Sequence, residues 1–543
     1  MASRRAAWWG WGSRPVTLDS KPELHAYLRD KLGLEGDRRL AVPEAEDIAL
    51  PASRFSEADV RAFRDIVGPK GVGTSHGERL SHAVGKGYRD LLRIRLAAVP
   101  TAPDLVLYPR EEDDVARILR VCDRCGIGVV PFGGGTTVVG GVEVSDPSHA
   151  HVAVDLERLD TLIEIDAVSQ TATAEAGILG PDLERGLGRS ELTLGHDPQS
   201  FEFSTLGGWI ASRSAGSLSN RYGKIEDLVV AMRLVAPSGT LDLRARPRHA
   251  MGPDLLSLAV GSEGTLGVIT RATVRVHALP EARAYSSVLF PSFGEGLESL
   301  RAIAQGPMPP AMTYLFDEDE TRLLAAGSGR AKGLATSLLR ARGIRLGSAA
   351  LLLAGYEGTK DAVWVQKEFA RRRSRRGVSA GPSPAKQYVR ERKDAPDLRD
   401  ALIERCVMVD TLETAATWSN LERVHRATRN AILGAIAASG VPGLVGCHVS
   451  HVYPEGASLY FTLMARMKKG EELAQYDAVK AAATRAIVDH GGHVSHHHGI
   501  GTEHAAYWRE AIGAEAYRVL RDLKRSLDPH GIMNPGKLFP VGL

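Results

Sequence analysis

The chain has 543 residues, with 68 Lys plus Arg against 65 Asp plus Glu, 43% hydrophobic residues and four cysteines. At about 150 residues per unit this length suggests three or four globular units, and a composition near the globular average excludes disordered, collagen-like and coiled-coil chains. A net charge of +3 excludes a nucleic-acid partner, which needs many clustered cations.

Residues 1–100 read as an N-terminal helical segment, in which Ser56 and Asp59 make a capping start for the periodic stretch to Ile66. Before it, Arg4 and Arg5 lead into Ala6-Ala-Trp-Trp-Gly-Trp-Gly12, too short and too glycine-broken for a secretory h-region. No apolar run is long enough to span a bilayer, so the expected location is the cytoplasm.

From residue 101 the texture changes. Asp104 to Tyr108 reads as a strand, Glu112 to Cys125 as an amphipathic helix and Gly128 to Pro131 as a strand running into glycines. Short β-branched runs follow at Val152–Asp155, Leu162–Ile165, Thr171–Ala174, Leu228–Val235, Val268–Thr270 and Thr273–Val276, separated by glycine turns. This is the pattern of an α+β domain and not of a regular doubly wound sheet. Pro280-Glu-Ala-Arg283 reads as a linker into a second region of strands and long helices. Within it, residues 321–346 alternate glycines with apolar and basic residues, as a mobile loop or a surface-seeking amphipathic stretch would. The run Arg371 to Arg376 reads as a solvated helix end, a membrane or anion contact being the alternative.

The cysteines Cys122, Cys125, Cys406 and Cys447 are too few for a disulfide framework. Cys122 and Cys125 lack the second pair of a zinc site and the context of a redox pair, and read as helix-end thiols.

Three loops carry chemistry. In Pro131-Phe-Gly-Gly-Gly-Thr-Thr137 three glycines after a strand let the backbone approach a ligand and aim N–H groups at an anion. It is neither a Walker loop nor a GxGxxG turn. The segment His196 to Gly216 is dense in Ser, Thr and Gly beside apolar Trp209 and Ile210, which suits donors to a polar ring edge. Gly261-Ser-Glu-Gly-Thr-Leu-Gly-Val-Ile269 is a further backbone-exposing loop ahead of a strand.

The order and wording of these loops resemble the flavin-binding domain of the vanillyl-alcohol oxidase and p-cresol methylhydroxylase superfamily. Within it the chain resembles the alkyldihydroxyacetonephosphate synthase family across nearly its whole length. The matching segments are Gly10-Trp-Gly12, the Gly-Gly-Gly-Thr loop, Gly195-His-Asp-Pro198, Glu202-Phe-Ser-Thr205, Tyr222 to Val230, Met251-Gly-Pro-Asp254, Gly261 to Thr270 and Ser495-His-His-His-Gly499.

The resemblance implies an α+β fold: a two-subdomain FAD-binding domain over 101–280, an α+β substrate-binding cap over 281–500 and a C-terminal segment, 501–543, that completes the active site. It implies FAD contacts by Pro131, Phe132, Gly133, Gly134, Gly135, Thr136 and Thr137, and by Gln199, Ser200, Phe201, Glu202, Phe203, Ser204 and Thr205. Ser212, Arg213, Ser214 and Ala215 follow, then Glu263, Gly264, Thr265, Leu266, Gly267, Val268 and Ile269. No covalent flavin attachment is expected.

Arg399 falls on the family's substrate arginine, whose planar donors suit a phosphate, and His196 is expected beside that phosphate. Tyr460 falls on the catalytic tyrosine, and His496, His497 and His498 are expected to supply it with positive charge or hydrogen bonds. The implied reaction replaces the acyl group of 1-acyl-dihydroxyacetone phosphate by a long-chain fatty alcohol. Tyr460 removes a proton, flavin N5 attacks the ester-bearing carbon, carboxylate leaves and the alkoxide enters, without net redox.

The alternative is an FAD-dependent dehydrogenase or oxidase of a 2-hydroxy acid or alcohol. Related hydroxyacid dehydrogenases hold a metal with two His and one Glu, and those positions fall here on Tyr453, Tyr460 and His497, so no metal is expected. A third reading is a flavin-binding protein without catalysis, which an unchanged activity in Tyr460→Phe would favour. Where family members place a second substrate arginine this chain has Tyr314, so another basic residue is expected to compensate. The C-terminal Asp528 to Lys537 is a shared superfamily ending. Long alkyl chains imply an apolar tunnel and a peripheral membrane contact; a homodimer is compatible with this reading.

Overall fold

A computed structural model describes residues 6–12, 17–34, 38–245, 247–328 and 343–541. Residues 329–342 of the glycine-rich stretch, and Arg4 and Arg5, lie outside the described residues; the part of that stretch just before residue 329 belongs to a helix, Glu318–Ser328.

The N-terminal segment is mainly helical, with Pro22–Leu32, Glu57–Val67, His76–Ser81 and Tyr88–Arg95. Ser56 Oγ accepts the N–H of Asp59 while Asp59 accepts the N–H of Ser56 at 2.9 Å, the reciprocal cap that starts a helix. Leu24, Leu28 and Leu32 recur on one face and are buried, against a core shared with the C-terminal half.

The glycine-rich loop hangs from a small sheet in which Leu105–Leu107, His151–Asp155 and Gly128–Phe132 run parallel. The helix Glu112–Cys125 between its strands opens on three acids, buries Val115, Ile118, Leu119 and Cys122, and ends on Gly126 at φ 64°, as dipole, periodicity and left-handed cap require. Cys122 and Cys125 both fall in its last turn as free thiols.

A second, antiparallel sheet of five strands carries the loop at Gly261–Gly267. The two expected runs around Thr270 are one strand, Val268–Arg275, with register irregularities at Ile269/Arg271 and Thr273/Val274.

The C-terminal half is built on a seven-stranded antiparallel sheet. Its first strand is Ala282–Phe290, so the expected linker is already sheet at Ala282 and Arg283. In its further half, Gly456–Arg466 lies between Gly443–Val449 and Val407–Thr417. The basic run ends the helix Lys360–Arg373, where Arg371 and Arg372 both pair with Glu368, a solvated helix end. The C-terminal tail returns to the first sheet: Met533 bridges Val129 and Asn534 Nδ2 donates to Gly141 O and Glu263 O at 3.0 and 2.6 Å.

Candidate active site

The glycine loop, the loops after it and the seven-stranded sheet converge on one cavity of about 1090 Å³. Register decides what faces it. Residues directly opposed on antiparallel strands share a face, and Tyr460 stands opposite Glu413 on one side and His448 on the other. The Tyr460 ring stacks on His448 at 4.8 Å and meets His498 edge-on at 5.5 Å. Tyr460, His448, His451, His497, His498 and Arg399 all line the cavity.

Arg399 comes from the helix Ala395–Glu404. Its guanidinium donates to Thr411 Oγ1 at 3.3 Å and to the Lys86 carbonyl at 3.3 Å, and lies 3.6 Å from Asp410. The same Lys86 carbonyl accepts Trp11 Nε1 at 3.0 Å, and Trp11 N donates to Asp400 at 2.9 Å. A Cβ on Gly10 would sit 2.4 Å from that carboxylate, so the Gly10-Trp11 pair docks the N-terminus against the arginine's own helix.

Burial pushes the Tyr460 hydroxyl up to about 12, against a hydrogen bond with Thr411 and the charge of Arg399. The histidines do not supply the expected positive charge. Burial drives His497 down to about 3, His498 to about 4 and His496 well below the ordinary imidazole value. The cation on the tyrosine is Arg399, reached through Thr411.

The histidine loop is held by Glu413, which the sequence did not single out. Its Oε1 accepts from Ser495 Oγ at 2.6 Å and from the N–H groups of His497 and His498 at 3.0 and 2.8 Å; Oε2 accepts the His496 N–H at 2.6 Å. Burial opposes its charge, and these four donated hydrogen bonds offset that cost. Glu263 next door accepts the N–H groups of Ile500 and Gly501 at 2.6 and 2.8 Å, though burial raises its carboxyl above the usual value. Its carboxylate is therefore spent on the protein backbone.

Of the residues expected at FAD, Pro131 to Thr137, Gln199, Ser200, Ser204, Thr205, Ser212, Ser214, Ala215, Glu263, Gly264, Gly267, Val268 and Ile269 line the cavity. Six do not. Phe201 stacks on Trp209 at 6.3 Å, Glu202 faces Lys393 at 3.4 Å, and Phe203 stands behind the glycine loop with its carbonyl against Gly134. Arg213 donates to Val260 O and Ser257 O, Thr265 to Ser262 O, and Leu266 is core. His196 is also displaced from its expected role: it is buried against Trp209 at 4.9 Å, with Nε2 on Ser214 Oγ at 3.1 Å, and burial takes it down to about 3. Tyr314 packs on Tyr388 at 4.8 Å and lines the cavity. The nearby lining cation is Arg392, paired with Asp197.

The lining fits a flavin through its backbone: Gly133, Gly134 and Gly135 face the cavity with Ser204, Thr205 and Ser214. A Cβ on Gly134 would lie 1.8 Å from Phe203 O, and one on Gly133 2.4 Å from Thr205 Oγ1, so glycine at both lets the loop seat directly on the Phe203–Thr205 segment. Residues 103–243 match the FAD binding domain model and 279–538 the C-terminal domain of FAD linked oxidases. The p-cresol methylhydroxylase structure, 14% identical, superposes with a TM-score of 0.70 over 91% of this chain and 99% of that one. Fold and site define an FAD-dependent enzyme with the p-cresol methylhydroxylase type of fold.

A solved alkyldihydroxyacetonephosphate synthase superposes with a TM-score of 0.83 at 29% identity, covering 99% of this chain and 98% of that one. The synthase of Dictyostelium discoideum is 33% identical over 96% of this chain and 88% of its own length. The chain belongs to the alkyldihydroxyacetonephosphate synthase family. Among the described residues no helix is long and apolar enough to cross a membrane.

Proposed function

We propose that this enzyme exchanges the acyl group of 1-acyl-dihydroxyacetone phosphate for a long-chain fatty alcohol, giving 1-alkyl-dihydroxyacetone phosphate and a fatty acid. The observation that carries the reading is the mixed lining of one cavity: Tyr460, Arg399 and the glycine loop share it with apolar Leu24, Tyr27, Leu323, Leu324, Leu402 and Met464. A phosphate end and an alkyl chain need such a pairing of guanidinium and apolar wall.

In this reading residues 101–280 hold the cofactor, 281–500 the substrate, and 501–543 close the site through Asn534. The glycine loop, Ser204, Thr205, Ser214, Gly264 and Gly267 to Ile269 would hold FAD, which when bound supplies covalent chemistry without net redox. Arg399 holds the phosphate, with Arg392 as the second cation in place of the arginine absent at Tyr314. Tyr460 removes the proton from the carbon bearing the ester, its phenolate favoured by Arg399 through Thr411. His498, edge-on to Tyr460, passes protons between the leaving and entering oxygens. The reading extends to a cytoplasmic protein touching a membrane peripherally, for which exposed Trp364 beside the basic run offers a surface.

The test is an anaerobic absorbance spectrum of the holoenzyme with palmitoyl-dihydroxyacetone phosphate. Loss of the oxidised flavin band, restored by hexadecanol with ether product and no electron acceptor, is the expected result. Bleaching by D-lactate or D-2-hydroxyglutarate that only an electron acceptor reverses would overturn it in favour of a dehydrogenase.

A further inference from the structure

His451, two residues beyond the strand Gly443–Val449, meets His496 and His497 of the histidine loop. One ring nitrogen from each lies within 4.8 Å of the other two. His496 Nδ1 and His497 Nδ1 are 2.9 Å apart. The His451 ring stacks on His496 at 5.1 Å with 25° between planes, and meets His497 at 5.2 Å and 68°.

The outer nitrogens decide which inner ones are available. His451 Nδ1 is engaged by Ser219 Oγ at 2.7 Å, which leaves Nε2. His496 Nε2 is engaged by the Tyr453 hydroxyl at 2.7 Å, which leaves Nδ1. Such outer partners fix the tautomer and orientation of ligating imidazoles. Negative charge lies beside the group, with Glu413 Oε2 3.8 Å from His497 Nδ1, while Lys224, which donates to the His496 carbonyl, is itself paired with Glu226 at 3.0 Å.

We propose that His451 Nε2, His496 Nδ1 and His497 Nδ1 form a three-histidine site for a divalent cation of the zinc class. Three imidazoles with one position open to oxygen is a ligand set that such an ion takes. Two nitrogens bound at about 2.0–2.1 Å in tetrahedral array stand roughly 3.3 Å apart, a small opening of the present Nδ1 contact. The cation replaces that hydrogen bond: the His496 proton sits on Nε2 facing the Tyr453 oxygen, and the His451 proton on Nδ1 facing Ser219. Because His451 and His497 line the cavity, the fourth position points into it and accepts water or a carboxylate oxygen. The site goes beyond the proposed reaction, which uses no metal, and its test does not depend on turnover.

The experiment is zinc titration of chelator-treated holoenzyme by calorimetry, with metal content measured after gel filtration. One zinc per chain is expected in the parent. Binding weakened at least 100-fold is expected in His451→Asn and His497→Asn, with flavin content retained. Ser219→Ala, which removes only an outer partner, is expected to weaken binding by about 10–100-fold and keeps the test open if the His497 variant does not fold. No stoichiometric zinc in the parent, or binding unchanged in both His451→Asn and Ser219→Ala, overturns the site.

Discussion

Glu413 stands directly opposite Tyr460 on the neighbouring strand, so one register fixes both the tyrosine and the carboxylate that ties down the histidine loop. Three backbone N–H groups and the Ser495 hydroxyl converge on that carboxylate. In Glu413→Gln the amide NH2 faces donors it cannot accept from. Each buried donor left unpaired costs about 1–3 kcal/mol, so a loss of roughly 2–4 kcal/mol is expected, with kcat falling at least 100-fold. Chemical denaturation and steady-state rates measure the two. A Gln variant as stable and active as the parent would show that the loop stands without this anchor.

Tyr460 faces the cavity beside His448 and His498, and its hydroxyl alone separates it from phenylalanine. Tyr460→Phe keeps the ring stacking and removes the proton acceptor. Loss of a general base lowers rates by about 10²–10⁴, and a fall of that size in ether formation is expected while the flavin spectrum and stability stay as in the parent. Retained turnover would move the base to another group and leave Tyr460 as packing.

What was legible in the sequence was whatever is local. The helix Glu112–Cys125 announces itself by acidic start, apolar period and Gly126, and the glycine loop by its own residues. Glu413 is silent in Val407–Thr417, because its meaning comes from a register set by a strand further along the chain. His196 reads as a site residue by motif adjacency, but adjacency does not tell which side of a wall a side chain takes; packing on Trp209 decides that. His451 is likewise an isolated histidine until the fold brings His496 and His497 to it.

Gly134 tests the flavin wall. Its Cβ would lie 1.8 Å from the Phe203 carbonyl, a backbone atom that cannot rotate away. Gly134→Ala therefore forces the loop off the turn at Phe203, and protein purified with under a tenth of the parent's flavin is expected, by absorbance and by release on denaturation. An alanine variant with full flavin content would mean that the loop yields without disturbing the cavity.

Asp90 is buried where the N-terminal helices meet the rest of the chain, its Oδ2 accepting the Gly87 N–H at 3.1 Å. Burial, with Glu143 and Glu503 adding like charge, raises its pKa to about 7, against that hydrogen bond and Arg93. The folded state thus holds the proton more tightly than the unfolded chain, whose carboxyl titrates near 3.8. The stability this contributes is fully present below about pH 4 and is lost as pH rises through 7, because the folded protein must then carry a buried charge. Asp90→Asn keeps an acceptor for Gly87 and removes that ionisation. The variant is expected to gain on the parent as pH rises from 5 to 8, by a few kcal/mol at most, with the difference closing toward pH 4. Thermal unfolding across that range measures it, and a difference that does not vary with pH would assign the charge elsewhere.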